Sequence, residues 1–276
     1  MANLPVPLPA AAFSAVDVDL SQRAVLITGA TGGLGRALAL GCAARGATVV
    51  LHGRVVRKLE ALYDEIIAAG GPQPTILPLD LDKADGNDFG NVAGAIHAQL
   101  GRLDGLVHTA AMLGSLGPLE HQAFEAWQGV VRVNLVAAMA MTRSMLPLLS
   151  AAPDAAIVFT LDTRADDPRA YWGAYGASKA GLLALAKTLA DECESRSNLR
   201  VNAIVPGPIR SPLRMLTHPG EDRRALPAPE ALVPLYLHVL GAQTKAESGM
   251  RIDAQAWLAG QPASTPLVSN PEGARP

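Results

Sequence analysis

Apolar positions along this chain alternate between two patterns. Short, near-continuous runs occupy residues 23–28 (RAVLIT), 47–51, 75–79, 103–109, 156–161 and 199–205. Runs of that length, rich in Val, Ile and Leu, mark strands buried on both faces. Between them lie stretches with apolar residues three or four apart, at 36–44, 55–69, 89–100, 120–149 and 173–194. These predict helices, the second closed by Gly70-Gly71 and the fourth bent near Pro147. A further helix over 231–240 and a last strand over 250–254 complete the series.

Strands alternating with helices of this length require a parallel sheet covered on both faces. Right-handed crossovers make it doubly wound. The expectation is an α/β, single-domain Rossmann fold of about seven strands, with its body over residues 21–260. Residues 1–20, with Pro5, Pro7 and Pro9, read as an N-terminal arm, and 261–276 as a surface tail. Pro206, Pro208, Pro212, Pro219, Pro227 and Pro229 crowd the segment before the last helix. Residues 208–229 within it read as a loop or short-helix lid that shapes the substrate pocket.

Composition narrows the class. The 276 residues are 49% hydrophobic with a formal net charge of -2 and no long block of either sign. That excludes a disordered chain and makes nucleic acid an unexpected partner. Only 17% of residues are charged, which raises the question of a membrane. The most apolar stretch, 135–141, is cut by Thr142 and Arg143, well short of the roughly 20 residues a span requires. The N-terminus lacks the basic start of an export signal. Cys42 and Cys193 are too few for a disulfide framework and lack zinc spacing, so a cytoplasmic protein without a metal site is expected.

The first strand runs into Thr28-Gly29-Ala30-Thr31-Gly32-Gly33-Leu34-Gly35, which opens the first helix. Glycines there permit a tight turn and let the backbone approach a pyrophosphate, whose charge meets free N–H groups and the helix dipole. The second strand ends in His52-Gly53-Arg54. No acidic residue is present to accept from the ribose 2′-hydroxyl of NAD, and Arg54 offers a guanidinium to a 2′-phosphate. NADP(H) is therefore favoured over NAD(H). Further on, Tyr175 and Lys179 lie four apart at the start of a helix, on one face. A nearby ammonium lowers a phenol's pKa and makes it usable in acid–base catalysis.

Together these motifs resemble the short-chain dehydrogenase/reductase superfamily, over about residues 24–254. The segments Pro234-Leu235-Tyr236-Leu237 and Asp253-Ala254-Gln255 resemble its uncharacterised bacterial YciK-like branch. The resemblance implies an NADPH-dependent reduction of a carbonyl, or the reverse alcohol oxidation, with Tyr175 as proton donor. It assigns Lys179 to Tyr175 and the nicotinamide ribose, and Asn134 to a proton-relay water. Cofactor contacts would come from Gly29, Thr31, Gly33, Leu34, Gly35, Arg54, Asp80, Leu81, Ala110, Tyr175, Lys179, Pro206, Gly207, Ile209 and Ser211. A homodimer or homotetramer built on the two long helices and a small-molecule carbonyl or alcohol substrate would follow.

Three positions depart from that pattern. His108-Thr109-Ala110-Ala111 replaces an N-N-A-G, removing the Asn that braces the sheet. Gly32 occupies a loop position often basic in NADP-preferring members, so the NADP reading rests on Arg54. Asp162 stands thirteen residues before Tyr175, where the family places a substrate-orienting Ser. An ionised Asp162 would repel an alkoxide and compete for Lys179; a protonated one would donate to the carbonyl as Ser does. The bland alternative is a loop carboxylate turned to solvent. The catalytic set is then Asn134, Asp162, Tyr175 and Lys179. The altered Asp162 and Ala111 also motivate a rival reading, a catalytically impaired cofactor-binding sensor or partner subunit. A lyase or epimerase on the same scaffold is a third.

Overall fold

The computed structural model describes residues 18–242 and 247–268. The buried runs form β1 (Ala24–Thr28), β2 (Thr48–Gly53), β3 (Thr75–Pro78), β4 (Gly105–His108), β5 (Ala155–Thr160), β6 (Leu199–Val205) and β7 (Met250–Asp253). β8 (Ser264–Pro266) completes a sheet of order β3-β2-β1-β4-β5-β6-β7-β8. All neighbours are parallel except β7 and β8.

Helices cover both faces. On one side α1 (Gly33–Ala43), α2 (Val56–Ala68), α8 (Val233–Leu240) and α9 (Ala254–Leu258) share one apolar core with the sheet. On the other, α3 (Gly86–Leu100), α5 (Ala137–Ala151) and α6 (Gly173–Glu192) share the second. α3 starts earlier than its apolar spacing indicated, because Asp85 and Asp88 form a capping box at its N-terminus. α7 (Pro212–Thr217) and two short 3₁₀ turns build the lid segment.

Three boundaries differ from expectation. The single long helix over 120–149 is instead α4 (Phe124–Val131), a π-helical turn at Arg132–Val136, and α5. A π turn keeps the chain helical and apolar-faced, so periodicity does not expose it. Phe124–Ala151 as a whole is long and apolar enough to cross a membrane by length and composition. Here Ala137, Ala138, Met141, Met145 and Leu149 are buried against the sheet. The tail reading also fails from Ala263 onward: β8 pairs with β7, and Ala263 and Leu267 are buried. Pro266, which lacks an N–H, is tolerated because β8 is the edge strand. The arm over 1–20 falls mostly outside the described residues, but Val18 and Leu20 are already buried in the core.

The strand starts opposite the site carry a buried ionic cluster. Asp154 accepts from Arg23 Nη1 at 2.7 Å and is bonded by Arg200, all three being largely buried. Arg23 also reaches the carbonyls of Asp104 and Asp154, and Arg200 that of Gly241. The pair thus ties the starts of β1, β5 and β6 together.

Candidate active site

The register sets the C-terminal strand ends level. Thr28 of β1 pairs with His108 of β4, and His108 with Phe159 of β5. Gly29, Thr109-Ala110 and Leu161-Asp162 therefore leave the sheet side by side. Chain order reverses between β1 and β4, and such a switch point opens a crevice at the carboxyl ends of the strands.

The glycine loop lines one wall. Gly29 has φ +68°, and a Cβ there would lie 2.8 Å from the Ala110 Cα. A Cβ on Gly35 would lie 2.8 Å from Thr109 Oγ1. Gly32 caps α1 without a side chain, and the helix has no acidic residue in its first turn. Backbone N–H groups and the positive helix end thus face the crevice uncontested. A turn packed too closely against Ala110 and Thr109 to admit a Cβ, beside an uncapped dipole, fits the pyrophosphate-binding turn of a dinucleotide site. Thr31 lies beside Gly53 and Leu34 packs into the core. Arg54 follows Gly53 at the end of β2 and is exposed, free to meet a 2′-phosphate.

Thr109 takes over the bracing that the absent Asn would supply. Its backbone N–H donates to Thr28 Oγ1 at 3.2 Å and its hydroxyl donates to the Thr28 carbonyl. Ala110 N–H donates to Thr28 Oγ1 as well, at 3.3 Å. Asp80 accepts from Asp82 N–H at 3.2 Å, which fixes the turn after β3. Leu81 joins Thr28, His108, Ala110 and Asn134 around a cavity of about 10 Å³. Burial pushes His108 down to about 3, with His52 and Lys179 adding to the effect, so it remains neutral. Its ring stacks on Phe159 with centroids 5.0 Å apart.

The opposite wall is the start of α6. Tyr175 and Lys179 are both buried. Lys179 Nζ donates to the Thr160 carbonyl at 3.0 Å and lies 5.7 Å from the Tyr175 ring centroid. Burial pushes Lys179 down to about 8, against a smaller upward pull from Asp162. The Tyr175 hydroxyl donates to Asp162 Oδ2 at 3.1 Å. This corrects the sequence reading of the pair. Lys179 does not lower the Tyr175 pKa here: burial raises it well above the ordinary phenol value, and the charge and hydrogen bond of Asp162 raise it further. Nor does Asp162 point to solvent or pair with Lys179. It is half-buried, and its Oδ1 accepts from Arg164 N–H at 2.9 Å.

Asn134 sits in the π turn and its side chain is a clamp. Oδ1 accepts from Met112 N–H at 2.7 Å, while Nδ2 donates to the Met112 carbonyl and to Ser178 Oγ, each at 2.9 Å. Ser178, fully buried, donates in turn to the Tyr175 carbonyl at 2.8 Å. Sequence reading passes over Ser178, although its place inside the Tyr–Lys spacing is visible. It also passes over Gln255 as a working residue. Gln255 Nε2 donates to the Pro206 carbonyl at 2.7 Å and holds the Pro206-Gly207 turn, where Gly207 has φ +67°. Ile209 is buried beside it. Ser211 caps α7 by accepting from Arg214 N–H at 3.1 Å, and packs with Pro212 and Pro229 against Gly33.

The mouth is aromatic. Trp172 lies 5.7 Å from Tyr175 and 6.4 Å from His218, with Arg164 over its ring. Its neighbour Tyr171 has φ +75°, a strained conformation of the kind concentrated at functional sites. The lid encloses a cavity of about 220 Å³ lined in part by Arg210, Arg214, His218 and Glu221.

Fold and site together define a dinucleotide-binding oxidoreductase with a Tyr–Lys pair. The comparisons agree, and the chain belongs to the short chain dehydrogenase family, whose model matches residues 23–222. This chain is accordingly an oxidoreductase acting with NAD(P) on CH–OH or C=O groups. Among its relatives is YciK of Escherichia coli K12, an uncharacterized oxidoreductase 39% identical over 236 residues, or 86% of this chain and 93% of YciK. A short chain dehydrogenase structure from Pseudomonas syringae is 40% identical, with a TM-score of 0.82 over 86% of this chain and 96% of that one. Another, from Escherichia coli CFT073 in complex with NADPH, is 39% identical, with a TM-score of 0.82 over 85% of this chain and 97% of that one. The resemblance to the YciK-like branch is thereby borne out.

Proposed function

We propose that this chain is an NADPH-dependent reductase of a small-molecule carbonyl, the alcohol oxidation being the same step reversed. The observation that carries the reading is the Tyr175 hydroxyl held beside Asp162, just past the end of β5, with buried Lys179 one helical turn further along α6. Gly29, Gly33 and Gly35 would hold the pyrophosphate and Arg54 the 2′-phosphate. Asp80, Leu81 and Ala110 would meet the adenosine half, and Pro206, Gly207, Ile209 and Ser211 the nicotinamide half. The NADPH complex of the Escherichia coli CFT073 relative supports the choice of cofactor.

When bound, the nicotinamide supplies a hydride to the substrate carbon. The chain's own residues supply the proton and the geometry. Burial and Asp162 oppose the Tyr175 anion and keep its proton in place. The alkoxide that hydride addition creates is a stronger base than a phenolate, so Tyr175 would still give its proton to that oxygen. Asn134 and Ser178 fix the backbone beneath it. Asn134 would also seat the relay water. We further place the protein in the cytoplasm as a homodimer or homotetramer formed through the helical region 120–149 and α6, where Val136 of the π turn and Met139 of α5 are exposed apolar residues.

The test is titration with NADPH and NADH, followed by NADPH oxidation over a carbonyl panel. Tighter binding of NADPH and turnover of at least one carbonyl are expected. Equal affinity for the two cofactors would remove the role given to Arg54.

A further inference from the structure

The cations around the proton donor are already engaged. Both Glu221 oxygens hold Arg214 at 2.6 Å, Arg164 donates to the Asp167 carbonyl at 2.9 Å, and Lys179 donates to Thr160. Asp162 is different. Its Oδ1 is used by Arg164 N–H and the Thr163 hydroxyl, but among the described residues its Oδ2 is hydrogen-bonded by the Tyr175 hydroxyl alone. Among the described residues no Lys, Arg or His side chain lies within ion-pair distance of it, and the Lys179 and Arg214 charges that act on it do so from further off. The site therefore offers substrate a carboxylate oxygen beside its proton donor.

A carboxylate is a poor partner for a carbonyl. A carbonyl oxygen has no proton to donate to it, and hydride addition makes that oxygen negative, so like charges are forced together. A protonated C=N reverses both objections. Its N–H donates to the carboxylate, its charge is opposite, and hydride addition removes that charge instead of creating one. Such a nitrogen also asks no proton of Tyr175 in the hydride step, which suits a phenol held protonated. Met112, Leu113, Trp127, Trp172 and Leu213 pack against the cluster that Tyr175 forms with Val130 and Ala174, and supply walls for an apolar body.

We propose that Asp162 directs this site toward substrates whose reacting bond is a protonated carbon–nitrogen double bond, a cyclic imine with an apolar ring being the fitting class. This rests on the cofactor and Tyr175 roles proposed above and changes the atom that accepts the π electrons. A hydride forms the new C–H bond, the C=N π pair moves to nitrogen, nitrogen keeps its proton, and the reduced nicotinamide cofactor is the species oxidised. The product is a secondary amine.

The test compares 1-pyrroline and 3,4-dihydroisoquinoline with cyclopentanone and 1-tetralone, in the wild type, Asp162→Ser and Asp162→Asn. Equilibrium binding of tetrahydroisoquinoline in the presence of NADP+ and of NADPH alone is measured in parallel by calorimetry. The wild type is expected to favour imines over the matching ketones at least tenfold in kcat/KM. Asp162→Ser should reverse that preference, and Asp162→Asn should weaken the amine at least tenfold while NADPH affinity stays within twofold. Ketone preference in the wild type, or amine affinity unchanged in Asp162→Asn with NADPH bound normally, overturns the inference alone. Failure of every variant to bind NADPH overturns the underlying functional reading and the inference with it.

Discussion

Asn134 Nδ2 donates to Ser178 Oγ at 2.9 Å, joining the π turn to the helix that carries Tyr175. Ser178 passes the connection on by donating to the Tyr175 carbonyl. Ser178→Ala leaves one buried Asn134 N–H without its partner, a loss of about 1–3 kcal/mol. The expected outcome is a lower Tm and reduced kcat, with NADPH affinity unchanged, read by thermal unfolding, steady-state kinetics and titration. Wild-type kcat in a correctly folded variant would remove the positioning role.

Arg54 is exposed just beyond the end of β2, where no acid competes for the ribose. Losing a charge-assisted contact to a 2′-phosphate weakens binding by about 1.5–3 kcal/mol, roughly tenfold to a hundredfold. Arg54→Ala should therefore raise the NADPH Kd by that factor and leave NADH within twofold. Calorimetry with both cofactors measures the difference.

The Arg23–Asp154–Arg200 cluster predicts acid sensitivity. Burial pushes the Asp154 carboxyl up, but hydrogen bonds and charge from Arg200 and Arg23 outweigh it and hold the group below its ordinary value. The folded state thus favours the ionised form. Its contribution is present above the unfolded pKa of about 3.9 and is lost as pH falls through the lower folded value. Asp154→Ala, which strands two buried guanidinium groups, should cost about 3–5 kcal/mol and lower Tm by roughly 10 °C. Thermal unfolding from pH 7 to 3 checks both size and sign, since the wild-type advantage should shrink toward the acid end.

Lys179 gives a slope of the same sign at the alkaline end, from the opposite cause: here the folded state disfavours the charged form. Burial pushes it down to about 8 from 10.5, so between those values the unfolded chain binds the extra proton. Stability must rise with pH across that window, and the cost of burying the charge is fully present below it. Lys179→Met removes this dependence. The stability of the variant relative to wild type should therefore fall as pH is raised from 8 to 10, in denaturant titrations, while turnover is lost throughout. A constant difference would show that Lys179 keeps its ordinary affinity for the proton.

Much of the fold is legible in the amino-acid sequence. The parallel strands announce themselves because burial on both faces leaves runs such as RAVLIT with no polar alternation. The glycine loop and the Tyr175–Lys179 spacing are local chain chemistry, and the fold sets them on facing walls of one crevice. What is not legible depends on three-dimensional neighbours. The π turn at Asn134 keeps helical periodicity, and β8 is a three-residue polar edge strand with a proline. Ser178 looks like a spacer until Asn134 reaches it across forty-four residues. Position alone marks Asp162 as unusual, but its bond to Tyr175, and the upward shift this helps impose on the phenol, depend on the fold.

The most direct test of the account is NADPH oxidation by wild type and Tyr175→Phe, at matched NADPH occupancy, over the combined carbonyl and imine panel. Removing a positioned general acid costs about 10²–10⁴ in rate. Wild-type turnover of at least one substrate is expected, falling at least a hundredfold in Tyr175→Phe for carbonyls, with NADPH binding intact. Carbonyl turnover by Tyr175→Phe equal to that of wild type would contradict the assignment of Tyr175 as the acid.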